Sequence, residues 1–441
     1  MTGTRKKELV RKAVKADAAG ARKLAGRIWE LAEPPLQEFE SSQLLADFLG
    51  ERGFDVEFPF ACLPTAFRAT AGRGGPAIGM LGEYDALPDC GLKAGTYGHG
   101  CGHNLLGVGG ALGALAAARV LAAEERAGRV VFWGCPAEEE LTGKVYMARE
   151  GAFRELDACL AWHPGTHTSA SPMGGAAMDS LVYEFFGRTA HAAVAEGGRS
   201  ALDAVMLMDV AANYLREHIP DNVRVHCVVR EGGGAPNVVP AHARIWYYVR
   251  GKDRKQVDEI VPRLTLCARG AATATETRMK VRRLAGVYDR LPNAPLASLV
   301  QENLELFGAP RATRADRDRI KDRLPQVEFE SGVRKEMPET PSKGSTDDCN
   351  VSWLTPLGAF RMACVAKGTR GHHRDYTFQT NLPFAYRGMQ RTAEVMAGTA
   401  WDLATRPAVL GEVRAEFEKA TKGFTYDPLV PKRQRPPIKD V

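Results

Sequence analysis

Five stretches of this chain place residues able to bind metal or move protons next to apolar, strand-like or helical runs. Residues 76–81 run into Gly82-Glu83-Tyr84-Asp85, and 130–134 run into Pro136-Ala137-Glu138-Glu139-Glu140. Residues 158–162 end on His163, and 360–365 lead to His372-His373. The fifth stretch, Gly98-His99-Gly100-Cys101-Gly102-His103-Asn104, opens a helical pattern. In open α/β sheets ligands gather at the carboxyl ends of parallel strands. Separate strand ends that each deliver Cys, His, Asp or Glu therefore read as one metal centre assembled by the fold.

Each of these residues also has a plainer reading. Cys101 and His103 are separated by one glycine, which lets the backbone aim thiolate and imidazole at one spot, a good donor pair for zinc and related ions. The same pair fits a buried thiol beside a helix-capping histidine, with His99 placed to support a ligand rather than to bind. The run Glu138-Glu139-Glu140 fits an acidic helix start, where carboxylates favour the N-terminal dipole. It equally fits a division of labour in which one carboxylate binds metal and its neighbour acts as base toward water. Asp85 is either a turn residue or a carboxylate that orients a ligand. His163 is either a core histidine or a ligand, and of His372 and His373 one is expected in a site.

To bring these residues together the chain needs an alternating fold. Helical spacing covers 4–32, 37–52, 105–123 and 142–150. Strand-like runs fall at 54–58, 66–70, 76–81, 130–134 and 157–162. This alternation predicts an α/β fold with a largely parallel sheet. The helix over 105–123 is apolar on most faces and should be buried. From Gly174-Gly175 the order becomes strand, helix, strand, strand, helix, strand, that of a ferredoxin-like α+β unit. Its strands are expected at 180–186, 223–230, 243–249 and 276–283, with helices at 200–216 and 257–273. We read residues 1–174 and 291–441 as one domain and 175–290 as an insertion that serves as lid and dimerisation surface. The charged segment 311–341 reads as a surface loop, and the Pro- and Lys-containing tail from Thr425 as surface chain.

The 441 residues suit two domains. The chain is 44% hydrophobic and 25% charged, values of a soluble globular protein. No uninterrupted apolar run reaches the ~18 residues of a membrane span, and the basic start, residues 1–15, lacks a signal-peptide core. A net charge of +6 is modest and scattered, with no nucleic-acid module. Nine irregularly spaced cysteines fit reduced thiols, so a cytoplasmic location is expected.

The stretches Gly82-Glu83-Tyr84-Asp85-Ala86-Leu87-Pro88, Gly98 through Asn104, Cys135-Pro136-Ala137-Glu138-Glu139 and Trp162-His163-Pro164 resemble the aminoacylase/carboxypeptidase metallopeptidase family. Within it they are similar to the amidohydrolase branch of hippurate and auxin-conjugate hydrolases. The resemblance runs in order from about residue 30 to 400. It also takes in residues 198–205, Pro236-Asn237-Val238-Val239 and Ser345-Thr346-Asp347. It implies a metallopeptidase-like catalytic domain holding one or two divalent ions, zinc or manganese. Cys101, His103, Glu139, His163 and His372 match its metal ligands, Glu138 its general base, and Asp85 the acid beside the metal. His191 matches a histidine that reaches the substrate carbonyl, commonly from the neighbouring subunit of a dimer. Asn237 and Arg250 match lid positions that hold substrate. The implied reaction is hydrolysis of the amide bond of an N-acyl or N-aroyl amino acid such as p-aminobenzoyl-glutamate.

Three departures bear on the substrate. The chain is short around 311–341, Asn350 stands where an acid is expected, and Arg290 stands where an uncharged residue is expected. Asn350 and Arg290 are both expected in substrate-facing loops. Two rival readings follow. One is an aromatic aminohydrolase that releases ammonia from an aminobenzoate such as 5-nitroanthranilate, with Arg290 holding the carboxylate. The other is a non-catalytic partner subunit.

Overall fold

The computed structural model describes residues 3–324, 326–336 and 344–438. The first sheet has seven strands: β1 (Asp55–Glu57), β2 (Phe67–Arg73), β3 (Ala77–Glu83), β4 (Gly128–Cys135), β5 (Ala158–Gly165), β6 (Ser169–Ala170) and, far along the chain, β11 (Leu357–Ala363). Their order is β1-β2-β4-β3-β5-β11-β6. The centre, β4-β3-β5-β11, is parallel, whereas β1, β2 and β6 join at the edges antiparallel. Every residue of β3 is buried, as a parallel strand covered on both faces requires. Side chains alternate between the two faces. Ile78, Met80 and Phe132 join a core with the helices Gly3–Leu31, His103–Ala123 and Pro383–Thr405. Leu81, Val131 and Trp133 join a second core with the helix Gly143–Arg149.

The helix His103–Ala123 sits unusually close to β3. A methyl added at Gly107 would come within 2.6 Å of the Glu83 carbonyl oxygen, and one at Gly110 within 2.7 Å of that of Leu81. Glycine at these two points lets the helix lie on the strand backbone, so its first turn overhangs the strand ends. The helix is long and apolar enough to cross a membrane, but its most apolar stretch is largely buried here.

The second sheet holds β7 (Ala177–Phe186), β8 (Arg224–Glu231), β9 (His242–Gly251) and β10 (Arg278–Val287). It is antiparallel throughout, in the order β10-β7-β9-β8. The helices Ala201–Leu215 and Arg254–Ala274 cover one face around Tyr183, Ile245 and Tyr247. Along β9 buried and partly exposed residues alternate, so Trp246, Tyr248 and Arg250 share the face opposite that core. The chain enters and leaves this unit side by side, since Arg290 N donates to Gly175 O at 3.2 Å.

Three expectations are corrected here. The segment expected as a surface loop at 311–341 carries a short helix, Arg314–Asp318, and buries Ile320 and Phe329 against Phe384. Pro325 and residues 337–341 of that segment lie outside the described residues. The tail packs rather than trails, with Tyr426 and Val430 buried. Asn350 does not face substrate. It is fully buried, and its amide donates to Tyr426 Oη at 2.9 Å and to Gly286 O at 3.2 Å, while its Oδ1 accepts from Tyr288 N at 3.0 Å. An amide is needed because the site asks for a donor and an acceptor at once. Restoring the expected acid, Asn350→Asp, would bury a carboxylate against a carbonyl. That should cost about 3 kcal/mol of stability, read as a lowered urea midpoint at unchanged slope.

Candidate metal centre

The parallel strands β3, β4, β5 and β11 deliver their carboxyl ends to one edge. Glu83 ends β3, with Asp85 two residues on. Glu138 and Glu139 follow β4, and His163 lies near the end of β5. Cys101 and His103 arrive from the overhanging first turn of the helix His103–Ala123. The glycines that precede it are forced. A methyl at Gly102, which has φ +82°, would lie 2.7 Å from the Pro164 ring, and one at Gly100 would lie 2.9 Å from Cys90 Sγ. His372 is held by its N–H, which donates to Gly100 O at 2.9 Å. His372 and Ala137 both adopt positive φ, so backbone strain is concentrated beside the centre.

The side chains form three overlapping groups whose donor atoms lie within 4.8 Å of one another: Cys101–His103–His163, Cys101–Glu139–His372 and Glu83–His103–Glu138. Cys101 Sγ is 3.2 Å from His163 Nε2, and His372 Nε2 is 3.7 Å from Glu139 Oε2. The imidazoles are oriented from behind. His163 Nδ1 donates to Pro164 O at 2.6 Å, leaving Nε2 toward the thiol. His103 Nδ1 donates to Asp85 Oδ1 at 2.7 Å, and the other Asp85 oxygen accepts the Glu139 N–H at 2.9 Å. Asp85 thus ties the helix turn to the β4 turn.

All five expected ligands, together with Glu138 and Asp85, meet at this edge. Arg250 and Arg290 line the adjoining cavity of about 510 Å³. The Arg290 guanidinium is already engaged, donating to both Asp348 oxygens at 2.8 and 2.7 Å. His191 and Asn237 do not line this cavity. They lie exposed on two lid loops joined by the Ala192 N–H, which donates to Asn237 O at 3.0 Å. His99 points away and donates to Ile28 O at 2.9 Å, and His373 caps the helix Arg374–Gln379.

Two functional candidates escaped the sequence reading. Glu83 Oε2 is 3.4 Å from His103 Nε2. The signal was available, because Glu83 and Asp85 are two residues apart at a strand end and so point to one side. Lys144 is fully buried, its ammonium 2.6 Å from Glu83 Oε1 and also bonded to Asp347. Nothing in the sequence around Lys144 marks it, since its partners come from distant segments.

Residues 79–395 match the profile of Peptidase family M20/M25/M40. The chain belongs to this family. It is 34% identical to a p-aminobenzoyl-glutamate hydrolase polypeptide of Escherichia coli (strain K12), covering 97% of this chain and 98% of that one. It is 31% identical to the Xaa-Arg dipeptidase of Mus musculus, covering 91% and 89%. Its fold is similar to that of a Bacillus subtilis dinuclear metal binding peptidase from the M20 family, with a TM-score of 0.57, 17% identity and coverage of 89% and 99%. This M20 chain is an amidohydrolase, a hydrolase that acts on C–N bonds.

The donor set of the M20 chain fits a divalent ion. His103 Nε2 and Glu139 Oε1 are buried without hydrogen-bond partners and lie 3.8 Å apart, an arrangement that is costly unless a cation bridges it. Electrostatics agree. Burial, reinforced by the Glu139 charge, pushes the Cys101 thiol up to about 12. Burial, with Asp85 and Glu83 nearby, pushes Glu139 up to about 8. Burial lowers His163 to about 3, helped by Arg361, so this ring is a neutral donor. Burial opposes ionisation of Asp85 as well, yet the charge and hydrogen bond of His103 hold its carboxyl low. Ligands bind metal deprotonated. Near pH 7 the metal-free protein holds protons on Cys101 and Glu139, so loading must release them. Titration of the metal-free protein with zinc, in buffers of different ionisation enthalpy, should show about one to two protons released. Apparent affinity should rise as pH rises from 6 toward 8.

Proposed function

We propose that this protein cleaves the amide bond of an N-acyl or N-aroyl amino acid of the p-aminobenzoyl-glutamate type. The observation that carries the reading is the position of Glu138. It sits within the donor cluster, opens onto the cavity, and is not needed to complete the set Cys101, His103, Glu139, His163 and His372. Those five would hold one or two divalent ions. Thiolate and imidazole suit zinc, and the carboxylate admits manganese. A bound ion supplies Lewis acidity toward water and the scissile carbonyl.

Glu138 takes the proton of the attacking water and returns it to the leaving nitrogen. Burial, with Glu83 and Glu139 close by, pushes its carboxyl well up, which suits a group that must hold a proton between two transfers. Asp85 keeps His103 in one tautomer. Tyr248 and Arg250 roof the cavity from β9, consistent with a lid that excludes water. Ammonia release from an aminobenzoate is less well supported, because Arg290 is already neutralised by Asp348.

The division into a catalytic domain, 1–174 with 291–441, and an inserted lid, 175–290, belongs to the same proposal. So does a homodimer built through the lid. The helix Ala201–Leu215 exposes Met206, Leu207, Val210 and Tyr214, and β8 is an open edge that exposes Val228 and Val229. His191 and Asn237 lie off their own chain's cavity, as expected of groups that serve a partner's site. Nine free cysteines are in keeping with a cytoplasmic location.

Two measurements test this reading. Glu138→Ala should lower kcat on N-aroyl amino acids by at least about 10²-fold while bound metal stays near wild type. Near-normal turnover would remove Glu138 from its role. His191→Ala and Glu138→Ala, each inactive, should complement when subunits are exchanged. Random pairing gives half heterodimers with one working site of two, so recovery reaches at most about a quarter of wild type. A fully exchanged mixture that stays inactive would place His191 in its own subunit.

A further inference from the structure

Arg361 lies on β11 and lines the cavity, yet none of the roles above uses it. Its parallel register partner on β5 is His163. Residues in register on neighbouring strands face the same side. Phe360 and Trp162, one position back, turn into the core, so Arg361 and His163 project together at the cavity wall. The guanidinium lies along Gly165, where an added methyl would approach Nη1 to 3.7 Å.

Among the described residues Arg361 has no hydrogen-bond or ion-pair partner, although it is partly buried. The acids within reach of that wall are engaged elsewhere. Glu330 forms a two-point pair with Arg334, at 2.8 Å for each contact, and Asp348 is taken by Arg290. The neighbouring groups add no negative charge. His167 is half-buried, and its pKa is lowered by burial and by the charges of Arg334 and Arg361. The positive field of Arg361 also reaches His163. A partly desolvated guanidinium without a counter-ion, one strand from a metal ligand, is a fork of donors that matches a carboxylate at two points.

We propose that Arg361 is a specificity-determining residue that anchors a carboxylate of the substrate's amino-acid half. The inference rests on the N-acyl amino acid reading and narrows it to acids, with N-acyl-glutamate and N-acyl-aspartate as the preferred class. Arg361 then fixes the register of substrate along the wall, at a distance from the amide that Glu138 serves. The leaving amino acid is recognised by the floor of the cavity as well as by the lid.

The test measures binding rather than turnover, using metal-loaded Glu138→Ala protein, which should hold substrate without consuming it. N-benzoyl-glutamate, N-benzoyl-glutamine and the α-amide of N-benzoyl-glutamate are titrated calorimetrically, with and without the added change Arg361→Ala. A site built around a charged hydrogen bond rejects analogues that lack it. Glutamate should therefore bind at least about tenfold tighter than one of the two amides. Arg361→Ala should abolish that preference, and Arg361→Lys should restore part of it. Loss against glutamine assigns Arg361 to the side-chain carboxylate, and loss against the α-amide assigns it to the α-carboxylate. Unchanged preference in Arg361→Ala protein of wild-type metal content, or no binding by any of the three compounds, would overturn the proposal. Intact, Arg361-dependent binding without turnover by wild type would support the subsite while sinking the amide-hydrolysis reading.

Discussion

Burial of negative charge is the constraint on which this structure turns. Glu83, Asp85, Glu138 and Glu139 all have buried side chains and crowd around the single imidazole of His103. Like charges in a low-dielectric interior cannot all ionise without cations among them. The protein supplies His103 above and Lys144 below, and the unpaired atoms of His103 and Glu139 leave room for one more positive centre. Lys144 is bonded to both Glu83 and Asp347, so it also ties β3 to the segment that precedes β11. Breaking such a buried pair by removing one partner typically costs about 3–5 kcal/mol, because the remaining charge is stranded. The cluster is therefore at once a liability for folding and the basis of the chemistry.

Geometry delivers the remaining ligands to that charge. The helix His103–Ala123 rests on β3 through Gly107 and Gly110, which carries Cys101 and His103 over the acids. Hydrogen bonds behind the site, from His103 to Asp85 and from His163 to Pro164 O, select which ring nitrogen faces inward. The lid completes the enclosure without contributing to the cluster. Tyr248 and Arg250 point to the cavity because β9 alternates, with its other face spent on the lid's own core.

The tail and the lid are coupled to this arrangement by packing. Tyr288, at the exit of the lid, stacks among Trp353, Phe424 and Tyr426, and Asn350 ties that aromatic group to Gly286 at the end of β10. Movement of the lid would have to pass through this hinge region. The charged segment near 311–336 is likewise anchored by Phe329 against Phe384.

Much of the centre is legible in the chain itself. Apolar runs that end on Glu83, Asp85, Glu138, Glu139 and His163, and the Gly-spaced pair Cys101 and His103, are local signals. Strand ends and tight turns are written in short stretches of sequence. The change from parallel to antiparallel order at Gly174-Gly175 is legible for the same reason. Other features have no local signature. Lys144 reads as an ordinary helix residue, and only folding sets it between Glu83 and Asp347, 61 and 203 residues away. Asn350 reads as a loop residue facing substrate until Tyr288, Gly286 and Tyr426 close around it. Arg361 reads as one charge in an apolar strand until the register with His163 places it at the cavity wall. Local sequence carries periodicity and turn chemistry, whereas the partner of a charge depends on contacts between distant segments. Only the tertiary structure decides which charges are neutralised and which remain available for substrate.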